Sequence, residues 1–229
     1  MGVAMEARFS VVALAFFISL ITSPAIAAEK ENSSSLILSG GRSVAQNACL
    51  SPVVAVTDPG FECTENHTIY RIAYNYKFSP TWGIEVSGGD LGDANGNGTY
   101  TYLGSPVPAT WQMKANGWTV AGIGNFTIGN SFSLFGKLGI VRAQLHEENY
   151  INVGGTWLYR NTFNGVTLNN IETYALTYGV GFQYDFTKTF GLRVQYENFG
   201  QYDVYSYYGV STPEKVSLTA ASAGLVLSF

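Results

Sequence analysis

The chain has 229 residues and a formal net charge of −4, with 12 Lys and Arg against 16 Asp and Glu. Charged residues make up 12%, about half the share usual for a soluble domain, while aromatics reach 14% with 15 Tyr and 14 Phe. An acidic, charge-poor surface gives no basic patch for nucleic acid, so no nucleic-acid partner is expected. Two Cys in a chain of this length also exclude a dense disulfide scaffold.

Met1 to Arg8 is a short leader. Phe9 to Ile21 follows as an apolar run of about 13 residues broken only by Ser10 and Ser19. Thr22-Ser23-Pro24 ends it, and Ala25-Ile26-Ala27 has the small-x-small pattern of a cleavage site. That order reads as a secretory signal peptide over 1–27, because a spanning helix needs roughly 20 apolar residues. No Cys follows directly, so a lipid anchor is not expected. The remaining segment, 28–229, suffices for one domain or one closed barrel.

The next elements are strand-like. Residues 35–43 form a candidate first strand, poor in aromatics. Cys49 and Cys63 follow in a long connection, and export to an oxidising compartment makes their disulfide the default. It would close a loop of about 15 residues, worth roughly 3 kcal/mol. Thr68 to Phe78 then alternates sharply. Tyr70, Ile72, Tyr74, Tyr76 and Phe78 share one face, and Ile69, Arg71, Ala73, Asn75 and Lys77 the other. Residues 82–90 set Trp82, Ile84 and Val86 against Glu85 and Ser87.

A long Asn/Gly/Tyr-rich connection is expected over 93–110. Its Asp93-x-Asn95-x-Asn97-Gly98 mimics the start of a calcium loop, but Gly104 stands where the twelfth-position Glu belongs. A turn-rich surface loop is the expectation there. Residues 115–128 and 132–145 read as strands four and five, the latter with Lys137 opposite Leu134, Leu138 and Ile140. Another long connection is expected over 146–172. Residues 178–186 place Tyr178, Val180, Phe182, Tyr184 and Phe186 opposite Gln183 and Asp185. Residues 190–197 place Phe190, Leu192, Val194 and Tyr196 opposite Arg193, Gln195 and Glu197. The chain closes on 216–229, with Leu225, Leu227 and Phe229 on one face.

These eight strands are joined alternately by tight turns (79–81, 129–131, 187–189) and long connections. Pro52, Pro59, Pro80, Pro106, Pro108 and Pro213 all fall in connections, as expected of a residue that cannot donate to a ladder. Two-faced strands, no long apolar run and alternating connection lengths describe an all-β, eight-stranded antiparallel up-and-down transmembrane barrel. Closure is forced, because an unpaired backbone N–H or C=O in hydrocarbon costs several kcal/mol.

Several segments resemble OmpA-like transmembrane barrels. They are Phe132 to Gly139, Leu176 to Phe186, Leu192 to Gly200 and Ser222 to Phe229, with the Cys-bearing connection before Tyr70 to Trp82 and with Asp90-Leu91-Gly92. The resemblance covers roughly 35–229. It implies insertion in a bacterial outer membrane, contact with outer-membrane lipid and lipopolysaccharide, and a monomer. It implies that the barrel-assembly machinery reads the C-terminal strand through Leu225, Leu227 and Phe229. It also implies that the peptidoglycan-binding domain of larger members is missing after Phe229. Arg71, Lys77, Glu85, Lys137, Asp185, Arg193 and Glu197 would meet in the lumen as a paired polar plug.

Catalysis is not expected. His67 and His146 are the only histidines, and the run His146-Glu147-Glu148 reads as a solvated rim whose neighbours face opposite ways. No cofactor or metal is expected. Seven aromatics, Tyr74, Tyr76, Phe78, Trp82, Tyr184, Phe186 and Phe190, gather near the tight turns as a membrane-interface girdle. Tyr100, Tyr102, Trp111, Tyr150, Trp157, Tyr159, Tyr202, Tyr205, Tyr207 and Tyr208 are assigned to the long loops, where exposed rings suit recognition of a host or other surface. The expected role is structural or adhesive. A narrow pore for small solutes and a soluble periplasmic ligand-binding barrel are the alternatives, and the second requires the aromatic faces to point inward.

Overall fold

The computed structural model describes residues 33–50, 62–129, 131–159, 162–163, 166–167, 171–203 and 215–229. The leader 1–27, Pro52, Pro59, Pro213 and Tyr205, Tyr207 and Tyr208 lie outside the described residues. Eight long strands form the wall: β1 Ser33–Gln46, β2 Asn66–Lys77, β3 Trp82–Tyr102, β4 Ser105–Ile128, β5 Phe132–Val153, β6 Ile171–Asp185, β7 Phe190–Tyr202 and β8 Val216–Ser228. Each pairs antiparallel with its sequence neighbour, and β8 returns to β1. The ring is therefore closed and leaves no edge in the membrane layer.

The stagger can be read from paired residues. Tyr184, Leu192, Leu225, Leu38, Ile72, Gly88, Trp118, Arg142 and Tyr174 are successive partners around the ring. The circuit starts at Tyr184 and returns to β6 at Tyr174, 184 − 174 = 10 residues away. Eight strands with that shear tilt by about 40° from the barrel axis. The turns 79–81 and 187–189, the strand ends Ile128 and Phe132 and both ends of the described chain share one mouth, where Ser34 and Phe229 exchange backbone hydrogen bonds of 3.0 and 2.9 Å.

The opposite mouth departs from expectation in an informative way. The stretch 93–110 is not a loop. β3 and β4 run on through it, paired to Tyr102 and Ser105, and reverse in two residues. Leu103 (φ 50°) and Gly104 (φ 82°) both take the left-handed conformation that a two-residue primed turn needs. The calcium-like Asp93 to Gly98 run is regular strand, with Glu62–Thr64 paired against Asn95–Asn97. Likewise β5 continues through His146 to Val153, and Thr156–Tyr159 pairs back onto it across Gly154-Gly155. Pro106 and Pro108 therefore lie in a strand and not in a connection. They sit beyond Ala109, the last β4 residue paired to β5, where β4 is an edge and a missing N–H costs nothing.

The wall is two-faced where the sequence alternates. Tyr70, Ile72, Tyr74 and Tyr76 of β2 and Tyr178, Val180, Phe182 and Tyr184 of β6 point outward and are exposed. Their inward neighbours Ile69, Arg71, Ala73, Asn75, Gly179 and Gln183 are buried, and Lys77, Gly181 and Asp185 are half-buried. Two bulges break the alternation, one between Asp90 and Gly92 and one between Asn198 and Gln201. Gly89 (φ 136°), Gly92 (φ 148°) and Gly200 (φ 98°) supply backbone angles that other residues rarely adopt. Leu91, the extra residue of the first bulge, stays inward with Glu85 and Ser87, and past the two bulges Ala94 and Tyr202 turn into the lumen.

Candidate functional site: a plugged lumen and an outer rim

The inward face of the half nearer the tight turns carries the charges. Glu85 on β3 takes Lys137 of β5 at 2.8 Å and Arg193 of β7 at 2.6 Å, one on each carboxylate oxygen. Lys137 also meets Glu197 at 2.6 Å. In a ring of eight, β3 and β7 stand opposite each other, so the Glu85–Arg193 pair is a crossbar through the barrel. Gln183 accepts from Arg193 at 3.0 and 3.2 Å and donates to Asp185 at 2.8 Å. Gln195 donates to Glu197 at 2.7 Å. The Arg193 guanidinium also stacks 4.4 Å over the Phe135 ring. Arg193, Glu85 and Glu197 are each only 2% exposed. Charges removed from water to that degree persist only when paired and hydrogen-bonded, and here they are.

Arg71 sits higher. It donates to Ser87 Oγ at 2.7 Å and to the Asp90 carbonyl at 3.4 Å, and lies 4.6 Å over the Phe199 ring. Lys77 is half-buried on the inner face near the tight-turn mouth and joins no ion pair among the described residues. Sequence reading places all seven charged residues on the inner face, and the structure brings five of them, Glu85, Lys137, Arg193, Glu197 and Asp185, into one connected chain of contacts.

Above Arg71 the lumen becomes apolar, which the sequence reading missed. Ile69, Leu91, Met113, Val141, Phe199 and Leu218 form one buried cluster with Trp111 and Tyr202. Trp111 and Tyr202 were expected on exposed loops. Trp111 instead follows the inward parity of β4 and donates its indole N–H to the buried Glu147 carboxylate. Tyr202 is turned inward by the Asn198–Gln201 bulge. Glu147 likewise corrects the solvated-rim reading: it is buried, while His146 and Glu148 pair at 3.0 Å on the outer face. The run is thus divided by the wall. Trp157 is half exposed on the outer extension, as a loop aromatic should be.

Cys49 and Cys63 are joined. Their bond ties the short helical turn Ala48–Leu50, after β1, to the strand Glu62–Thr64 that flanks the β3–β4 extension. Among the tight-turn aromatics, Tyr74, Tyr76, Phe78, Tyr184, Phe186 and Phe190 are exposed outward and Trp82 is half-buried over Gly124. A soluble ligand-binding barrel would bury these rings inside and expose the charges. The observed facing is the reverse.

An outward apolar band, a girdle at one edge and a filled polar-then-apolar interior define an integral outer-membrane barrel. Residues 13–229 match the outer membrane protein beta-barrel domain family, and the chain belongs to it. Its place is the outer membrane. No curated protein matches the chain. Similar solved structures include Ail, the attachment invasion locus protein of Yersinia pestis, in complex with the heparin analogue sucrose octasulfate (17% identity, 87% of this chain and 99% of that one, TM-score 0.47). OprG of Pseudomonas aeruginosa is 14% identical over 89% of this chain and 99% of its own, with a TM-score of 0.43. The N-terminal barrel domain of OprF from the same organism is 11% identical over 87% and 100%, with a TM-score of 0.41.

Proposed function

We propose that this protein is a structural or surface-interaction protein of adhesion type, anchored by its barrel and recognising partners through the outer β-extensions. One observation carries the reading: the lumen is closed twice, by the Glu85–Arg193 crossbar and by the apolar cluster above it. A solute would have to break buried ion pairs and then cross a packed apolar layer, which disfavours the narrow-pore alternative. The wall meanwhile continues past the membrane band as the β3–β4 hairpin and the β5 extension, chain that no barrel needs for closure. No catalytic role is proposed. Export by a cleaved leader, contact with lipid and lipopolysaccharide, a monomeric state and recognition of the C-terminal strand by the assembly machinery belong to the same proposal.

Two measurements test it together. Purified barrel in a planar bilayer is expected to give no steady conductance. Cells displaying the chain are expected to adhere to matrix-coated or host-cell surfaces, and to lose that adherence when residues 98–109, beyond Trp111 of the seal, are replaced by a two-residue turn. Steady conductance with unchanged adherence of the shortened chain would overturn the reading in favour of the pore.

A further inference from the structure

Strand tilt gives each outward residue a height. At about 40°, one residue along a strand is worth about 2.5 Å along the axis, and one step to the paired neighbour about 3 Å. On the circuit from Tyr184 upward, Arg42 stands about 20 Å above the tight-turn girdle, level with Trp118 and Arg142 to within a few ångström. An outer-membrane barrel has an apolar band about 25 Å tall. Arg42 therefore lies at the far edge of the hydrocarbon layer, where lipid headgroups begin.

Its surroundings are unusual for a cation. Arg42 is exposed on the outer face of β1. Its paired neighbours are Thr68 on β2 and Ala221 on β8, and Tyr70, Asn66, Thr219 and Ala223 are the next outward residues on those strands. None is acidic, and Arg42 has no ion pair among the described residues. Arg142, at the same level, is already held by Glu172. Asp90, two strands from Arg42, accepts from the Tyr70 backbone N–H. Below Arg42 the Tyr70 ring leans over Gly40, 3.5 Å from where a methyl there would stand, and the low stretch of wall is Ala221 and Ala223 of β8, between Tyr70 and Tyr196.

We propose that Arg42 binds the phosphate of a phosphorylated outer-leaflet lipid, with the Thr68 and Thr219 hydroxyls beside it and an acyl chain lying over Ala221 and Ala223 between Tyr70 and Tyr196. A guanidinium at the headgroup level with no protein anion calls for one from the leaflet, and phosphate matches its fork of donors. This deepens the membrane reading and rests on it, since it takes the β3–β4 extension to lie outside the cell.

The test uses the folded chain in phosphatidylcholine nanodiscs doped with bisphosphorylated lipid A, or with the same lipid stripped of phosphate. The readout is lipid retained per barrel by mass spectrometry. The wild type is expected to retain the phosphorylated lipid and not the stripped one. R42Q is expected to lose about tenfold in retention, the worth of one charge-assisted contact, and R142Q to retain it normally. Equal retention by R42Q and wild type, or equal retention of the two lipids, would overturn the site. The folding control is separate: wild type that shows no heat-shifted band in membranes would sink the membrane reading itself.

Discussion

At the residue scale the decisive side chain is Glu85. Each of its oxygens holds one cation, and both cations are buried with it. Glu85→Gln keeps the volume and removes the charge. Lys137 would keep Glu197, but Arg193 would be left with only the neutral Gln183. Breaking a buried pair in this way typically costs about 3–5 kcal/mol. Glu85→Gln should therefore lower the urea midpoint of the barrel in lipid vesicles markedly. Glu172→Gln, which breaks the exposed pair with Arg142, should barely move it. Equal midpoints for the two variants would show that the crossbar is not structural. The charges were legible because they alternate with aromatics along short, regular strands, so parity alone puts them inside. Trp111 was not: the strand pattern read from the sequence begins at Ala115, although Trp111 and Met113 continue the same inward parity.

At the scale of elements, sequence legibility followed the membrane. Where one face meets lipid and the other the lumen, period-2 patterning is forced and the strands could be found. Beyond the pair Gly96 and Trp111 neither face of β3 and β4 packs into the buried cluster, so Asn, Gly, Thr and even Pro106 and Pro108 are tolerated and the pattern disappears. What holds that hairpin is the backbone ladder, which runs unbroken from Gly92 to Tyr102. The bulges were equally invisible, because one extra residue carries no composition signature, yet they decide which side chains build the apolar seal. Gly200 is the sharpest case. Its φ is 98°, and an added methyl would stand 2.5 Å from the Ala175 Cβ and 2.9 Å from the Leu176 carbonyl. Gly200→Ala should cost about 1–3 kcal/mol through backbone strain and crowding. Urea titration with an unchanged slope would locate that loss in the folded state. An unaltered midpoint would mean that the bulge relaxes and that Tyr202 is not held inward by it.

At the scale of the whole molecule the ring closes where the chain's last strand meets its first. β8 pairs with β7 on one side and with β1 on the other, and at the tight-turn mouth Ser34 and Phe229 exchange two backbone bonds. Leu225, Leu227 and Phe229 all face outward, and Phe229 is 72% exposed. An outward ring at the interface adds little to the packed interior, so its contribution to the finished barrel is modest. Its contribution to assembly would be larger, because the closing strand must be captured before any seam exists. The two roles separate experimentally. Deleting Phe229 should leave refolding into lipid vesicles nearly normal, with at most about 2 kcal/mol lost from two seam bonds and one interfacial ring. In cells the same deletion should strongly reduce the heat-shifted band in the outer-membrane fraction. Normal assembly in cells would remove Phe229 from the signal, and failure in both settings would make it a structural clasp of the seam and not a recognition element.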